Sequence, residues 1–328
     1  MTAELLQQIF DAPEDDTPRL IYADHLLDRG DPLGELIHMQ CALARPRHGS
    51  PMAPALWRDG KPLLDTDVEL EHRERALLQQ HADVWLAPVR PYLRSWAFVR
   101  GFPDHVTADA ATFLAGVPSF RGRVPISRVG LSSIGNATPA AFDAELPSLR
   151  ELEISVSTSA DERSVAGQAI GRAFFAPVRA LTVWGHGVDD QLVRGIAELD
   201  QLTSLVAHSC KITGRTLGRL TGLESLTLDS DALRRDWPGQ LPKLTRLRSL
   251  ALGANLDGDR MTALLASGLA RLEHLRFDAL LADDALLALA AAELPALRSL
   301  AVRVHGYQLD REGVRVLRER FGERLEVA

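Results

Sequence analysis

The sequence predicts an α/β solenoid, a curved parallel sheet backed by convex helices, with a small all-α domain in front of it. Three observations carry this. The unit L-x-x-L-x-L recurs through the carboxy-terminal two-thirds of the chain. Its copies follow one another at a nearly constant interval, the mark of stacked structural repeats. Between copies lie stretches with apolar residues at helical spacing, such as Met261, Leu264, Leu265 and Leu269.

Residues 1–44 read as three short helices. Leu5, Leu6, Ile9 and Phe10 form the apolar stripe of the first. A polar break follows, in which Asp16 or Thr17 is placed to cap a second helix with Pro18 in its first turn. That helix, over 18–28, turns Leu20, Ile21, Ala23, Leu26 and Leu27 inward and ends at Arg29-Gly30-Asp31-Pro32, with Gly30 as the left-handed stop. A third begins at Leu33 and carries Leu36, Ile37 and Met39. Residues 45–66 are rich in Pro, Gly and charge, so a flexible loop is expected there, with Trp57 as a docking or cleavage point. Residues 67–125 hold a helix from about Val68 to Trp85. Over 96–107 they have the aromatic and β-branched content of a strand pair, expected to cap the repeats.

The repeats occupy 126–328. A weak copy, Ile126-x-x-Val129-x-Leu131, comes first, and Leu149-x-x-Leu152-x-Ile154 follows. The middle positions of the full copies are Leu152, Leu181, Leu205, Leu226, Leu250, Leu275 and Leu300, with a truncated Leu325-x-Val327 at the end. They lie 29, 24, 21, 24, 25, 25 and 25 residues apart, near the interval of about 20–29 typical of leucine-rich repeats. In a short strand such a unit points its leucines to one side and the intervening residues onto a concave sheet face. One unit cannot bury both its strand and its helix stripe; stacked units can. The last strand would leave an open edge, suited to self-association.

The segment Pro13-Glu14-Asp15-Asp16, Arg19-Leu20-Ile21-Tyr22-Ala23-Asp24-His25-Leu26, Arg29-Gly30-Asp31-Pro32 and Gly34-Glu35-Leu36-Ile37 resembles the bacterial repeat-companion domain. His25 stands where that family usually has Trp, and Asp28 where it commonly has Glu. Trp85-Leu-Ala-Pro and Phe98-Val-Arg-Gly-Phe resemble the bridging segment of the same proteins. The resemblance implies a helical domain ahead of leucine-rich repeats. It implies no activity and no catalytic residues.

Bulk properties narrow the function classes. The formal charge of the 328 residues is -7, whereas nucleic-acid binders show a basic face. Two cysteines, Cys41 and Cys210, make neither a zinc spacing nor a disulfide framework, which fits a reducing cytoplasm. Met1-Thr2-Ala3-Glu4 lacks the basic start of a secretory leader. The longest apolar run, 282–292, is short and broken by Asp283 and Asp284, so no membrane span is expected. Phosphate-loop, dinucleotide, zinc-protease and nucleophile-elbow motifs are absent. No cofactor or metal is expected. Asp15, Asp16, Asp24, Asp28, Asp31 and Glu35 are spread over two helix ends rather than set in one calcium loop. Cys210 near His208, with Asp229 a repeat further on, invites a thiol–imidazole–carboxylate reading. The repeat register instead gives Cys210 a buried turn position, shared by Asp231, Asn255 and, less regularly, His186.

The expected function is therefore non-enzymatic: an interaction scaffold that holds a protein partner on the concave face. The partner-binding candidates are Glu151, Glu153, Trp184, His208, Asp229, His274, Arg276, Asp278 and Arg303. One outward column runs Ser155, Trp184, His208, Asp229, Gly253, Asp278, Arg303, and an outward Trp beside His and charge has the composition of a binding hot spot. The alternative is a regulator, inhibitor or proteolytic substrate of a partner enzyme in a bacterial defence or signalling system, in which the 45–66 loop matters more.

Overall fold

The computed structural model describes residues 2–44, 57–58, 61–62, 65–210, 212–229, 238–254, 256–267, 269, 271–304 and 312–327. The chain divides into two compact units, residues 1–130 with 144–149, and residues 131–143 with 150–328.

The first unit begins with α1 (Thr2–Asp11), α2 (Asp16–Leu27) and α3 (Leu33–Ala44). The cap of α2 is Asp15, one residue earlier than the sequence reading placed it. Asp15 is extended, so its carboxylate reaches the Thr17 N–H at 2.8 Å. Gly30, at φ +72°, releases the chain from α2. Ile9, Tyr22, Ala23, Leu26, Ile37 and Cys41 close a core with Phe102. Ile21 and Leu27, expected inward, stand out at 50% and 44% exposure; α2 turns Arg19, Tyr22, Ala23 and Leu26 inward instead. Most of the 45–66 segment lies outside the described residues, as does the Trp57 side chain. Within it a two-residue antiparallel pair is seen, β1 (Trp57–Arg58) with β2 (Lys61–Pro62).

Helix α4 (Asp65–Leu86) leads to an antiparallel hairpin, β3 (Ser95–Val99) with β4 (Phe102–Asp109). Arg100 and Gly101 close it with φ of +51° and +88°, the paired left-handed residues of a type I′ turn. A Cβ on Gly101 would lie 2.1 Å from the Ile37 side chain, so the hairpin tip sits directly on α3. Gln40 of α3 is buried and satisfies both ends of its amide there. It donates to the Glu74 carboxylate of α4 and to the Phe98 carbonyl, and accepts the Gly101 N–H at 2.6 Å. Arg100 pairs with Asp16 at 3.0 Å and reaches Glu14 at 3.5 Å. Helix α5 (Ala110–Phe120) and β5 (Arg128–Ser132) follow. Val129 and Leu131 of the weak copy are buried in alternation, as the unit requires.

The second unit continues with β6 (Glu151–Ser155), α6 (Ala160–Ala169), β7 (Ala180–Trp184), α7 (Asp190–Ile196), β8 (Ser204–His208), α8 (Gly214–Leu217) and β9 (Ser225–Asp229). Next come β10 (Ser249–Leu252), α9 (Gly258–Ala266), β11 (His274–Leu280), α10 (Asp283–Ala291), β12 (Ser299–Arg303), α11 (Glu312–Phe321) and β13 (Leu325–Val327). Strands β6 to β13 pair in sequence order and all in parallel. The central leucines fall opposite one another throughout: Leu152, Leu181, Leu205, Leu226, Leu250, Leu275, Leu300 and Leu325. All but Leu325 are at most 2% exposed, and burying one leucine contributes about 1.5–3 kcal/mol.

The unequal intervals are absorbed outside the strands. The longest, from Leu152 to Leu181, accommodates the buried rings of Phe174 and Phe175, which pack with Phe142 at centroid distances of 6.0 and 5.8 Å and with each other at 6.1 Å. Carboxylates staple neighbouring repeats together. Asp190 accepts the backbone N–H and the hydroxyl of Thr213, each at 2.8 Å. Asp284 takes the Gly258 N–H and Asp283 that of Gly313. Burial pushes the Asp190 carboxyl up, but hydrogen bonds from Thr213 and Thr216 outweigh it and hold the group below the ordinary carboxylate value.

Two outcomes are expected. The Asp190 pKa is lowered in the folded chain, so its stabilisation is present above the unfolded value of about 4 and is lost as pH falls through the folded one. Chemical denaturation of Asp190→Asn should therefore show a deficit at pH 7 that shrinks steadily on acidification; a pH-independent difference would refute the staple. Cys41 is buried, its thiol pushed up to about 12 chiefly by that burial, and Cys210 is buried as well. Both should resist thiol reagents in the native chain and react on unfolding; prompt native labelling would contradict their placement.

Candidate interaction surface

Alternation along β6 to β12 sends the leucines to the covered side and the intervening residues to the open side of the sheet. Glu153 and Ser155 of β6 are exposed, and Glu151 is half-buried. The middle strands present small groups: Thr182, Ser204, Val206, Ser225, Thr227, Ser249 and Ala251. Trp184 stands above them at the end of β7, 41% exposed.

The ring of Trp184 stacks on that of His208, with centroids 3.8 Å apart and planes 18° from parallel. Register brings them together, because Trp184 is the Cα partner of His208, as Ser155 is of Trp184 and Asp229 of His208. The turn after Trp184 is forced close to the preceding repeat. Gly185 adopts φ +107°, and a Cβ there would meet the Val156 carbonyl oxygen at 2.4 Å; one on Gly187 would meet that of Ser157 at 1.9 Å. The Val156 N–H donates to the Trp184 carbonyl at 2.8 Å, and the Gly185 N–H to that of His208 at 3.0 Å. The indole thus rises from a backbone pinned on both sides.

The remaining candidates form a second group. Arg276 pairs with Asp278 within β11 at 2.6 Å, and His274 shares a 2.7 Å hydrogen bond with Ser299. The extrapolated column fails here. A register shift after Phe277 makes Leu280, not Asp278, the Cα partner of Arg303, although the Arg303 guanidinium still donates to the Asp278 carbonyl at 3.4 Å. Three strand spacings, about 14 Å, separate β8 from β11. The structure therefore places Trp184 and His208 together with Asp229 in register beside them, Glu151 and Glu153 on the flanking strand, and His274, Arg276, Asp278 and Arg303 apart.

The competing chemistries dissolve into structural roles. Cys210 is buried, its thiol directed at the Ala207 carbonyl at 3.8 Å, while the His208 ring is stacked on indole. His186 is exposed and bonded to the Ser209 carbonyl, and Val188 takes the buried position instead; Asp231 and Asn255 lie outside the described residues. Asp16 holds Arg100, Asp24 meets His38 at 2.8 Å, Asp31 accepts the Leu33 N–H, and Glu35 is gripped by Arg73 through two hydrogen bonds. The Arg73 hydrogen bonds hold the Glu35 carboxyl below its ordinary value. Among the described residues no group of three or more His, Cys, Asp or Glu is arranged to hold a metal ion. Nor does any described helix have the length and apolarity to cross a membrane.

Sequence reading missed three features. Arg19, 4% exposed, lies under the hairpin with its guanidinium 5.9 Å from the Phe102 ring centroid, and burial lowers its pKa. Gln40 and Arg100 are the other two. All depend on partners distant in the chain, so no local pattern marks them.

No family model matches this chain, and neither does any curated protein. Among solved structures it is similar to a chain of the Rad7 and Elc1 complex in yeast, at 16% identity and a TM-score of 0.35, over 77% of this chain and 80% of that one. It is also similar to a chain of the octameric complex of latrophilin 3 (Lec, Olf), Unc5D (Ig, Ig2, TSP1) and FLRT2 (LRR), at 16% identity and a TM-score of 0.33, over 62% and 69%. Both overlaps are loose. The description of the second unit as a parallel ladder of leucine-rich units rests on its own strand register.

Proposed function

We propose that this chain is a non-enzymatic interaction scaffold of the bacterial repeat-companion type, which holds a protein partner on the open face of its leucine-rich sheet. The observation that carries the reading is the exposed Trp184–His208 stack, rigidly mounted among small side chains. An exposed indole costs solvation free energy that burial against a partner would recover. Aromatic anchors ringed by small or polar groups dominate binding energetics elsewhere. Glu151, Glu153 and Asp229 give this end of the face a negative character that selects a basic partner surface. At the other end Arg276 is paired with Asp278, and Arg303 shares the face with Glu326 of β13, so the negative end is the one that selects by charge. Such a charge orients a partner more than it raises affinity. Two buried cysteines, neither in a disulfide, favour a reducing cytoplasm as the compartment.

The test compares quantitative capture from a lysate of the source organism by the native chain and by Trp184→Ala combined with Asp229→Arg. The double variant should lose its main captured protein by about tenfold or more, since a central aromatic anchor is worth about 2 kcal/mol or above. Its melting temperature should stay close to native, because Trp184 is solvent-facing. Equal capture of the same proteins by both chains would rule the open face out.

A further inference from the structure

A different part of the second unit carries a binding site of its own. Each strand is preceded by a residue at its amino-terminal rim, and backbone bonds link these rim residues in a row. The N–H groups of Arg248 and Ser249 both donate to the Glu224 carbonyl, those of Glu273 and His274 to the Arg248 carbonyl, and those of Arg298 and Ser299 to the Glu273 carbonyl. The side chains alternate in sign along the row. Glu273 is held between Arg248 at 2.5 Å and Arg298 at 3.2 Å, and Glu224 pairs with Arg246 at 2.5 Å. Arg271 lies beside them, its guanidinium bonded to the Thr245 carbonyl at 3.1 Å. Four guanidinium groups thus meet two carboxylates, a local excess of positive charge on a chain whose formal net charge is -7.

This rim encloses an open cavity of about 610 Å³ lined by Arg246, Arg248, Arg271, Glu224 and Glu273 over a floor of Leu247. A second cavity of about 230 Å³ adjoins it, sharing Thr245, Leu247 and Arg271, and is walled by Leu241, Leu244, Leu269 and Leu272. Arg271 is exposed and lines both cavities, so its cation and its aliphatic stem are available at their shared boundary. A planar guanidinium pairs with a carboxylate through two parallel hydrogen bonds. The two cavities together fit a group that is anionic at one end and aliphatic beside it.

We propose that this rim is a docking site for an acidic peptide segment, with a glutamate or aspartate side chain on Arg271 and Arg248 and a neighbouring aliphatic side chain in the leucine-walled cavity. The site is separate from the open face and recognises the opposite charge to the Trp184 end. Exposed guanidinium groups keep the acidic segment in place without burying an unpaired charge, and the aliphatic contact distinguishes it from any other anion.

The test uses fluorescence anisotropy with the full chain and a fluorescein-labelled peptide of glutamate and leucine spaced by glycine. Saturable binding is expected. It should weaken about tenfold in Arg271→Glu and weaken with added salt. It should also be lost when the glutamates become glutamine or the leucines become alanine. Arg315→Glu makes the same change of charge on α11, outside both cavities, and should leave affinity within about twofold, because screening confines the effect of a remote exposed charge. Absence of saturable binding overturns the proposal. So do equal binding by Arg271→Glu and the native chain, an equal loss in Arg315→Glu, or unchanged affinity for the glutamine or the alanine peptide. Displacement of the peptide by isovalerate alone at equal concentration would also overturn it, since the site would then take a free carboxylic acid. Thermal melts of both variants confirm that the folded chain is what is measured.

Discussion

The second unit depends on the lateral alignment of its central leucines. A strand of four or five residues has too little surface to hold its own conformation. Its stability comes from the strands on either side, and the eight aligned leucines from Leu152 to Leu325 are what those neighbours share. A slip of one residue at any pairing would send that strand's leucines to the open face and its polar residues to the core. The register is therefore over-determined, and the connections need not be. Intervals as unequal as 29 and 21 residues fit the same ladder, because a helix, a short turn or a cluster of phenylalanines can each return the chain to the next leucine.

Residues on the open side and residues at the rim both inherit their positions from that alignment. Trp184 meets His208 because Leu181 is opposite Leu205, and each ring lies three residues beyond its leucine. The rim charges meet for the same reason, counted in the other direction from Leu226, Leu250 and Leu275. In a parallel ladder a residue of one repeat is a strand spacing, about 4.8 Å, from its equivalents in the next. Chemistry at such a surface is written in columns, and a column of like charges would be destabilising. Glu224, Arg248, Glu273 and Arg298 alternate, and the ion pairs follow.

The amount of structure legible in the sequence follows from the range of each interaction. The repeat unit is local and periodic, so the strands and the buried leucines could be read directly, as could the left-handed Gly30. The irregularity after Phe277 could not, because alternation is extended by counting, and counting continues straight through the two inserted residues. Helix α2 shows a similar limit. Its apolar residues cover more than one face, and only packing against α3 and Phe102 decides that Leu26 is buried while Leu27 is not. Of the candidate site, the residue types and the outward column from Ser155 to Asp229 were legible. The stacking of Trp184 on His208 was not, since it depends on rotamers and on two glycines that let the turn approach the repeat before it.

The first unit is organised by the opposite kind of interaction. There the turn at Arg100 and Gly101 is held by single polar contacts, and those made by Gln40 are buried. Gln40 satisfies both its donor and its acceptor across three elements. Losing any one of them would leave a buried polar group without a partner, at a cost of about 1–3 kcal/mol. Such a site tolerates little substitution, whereas a leucine column tolerates changes of loop length on every side. One part is specified by identity at each position, the other by spacing, and the open face can vary in composition without disturbing either.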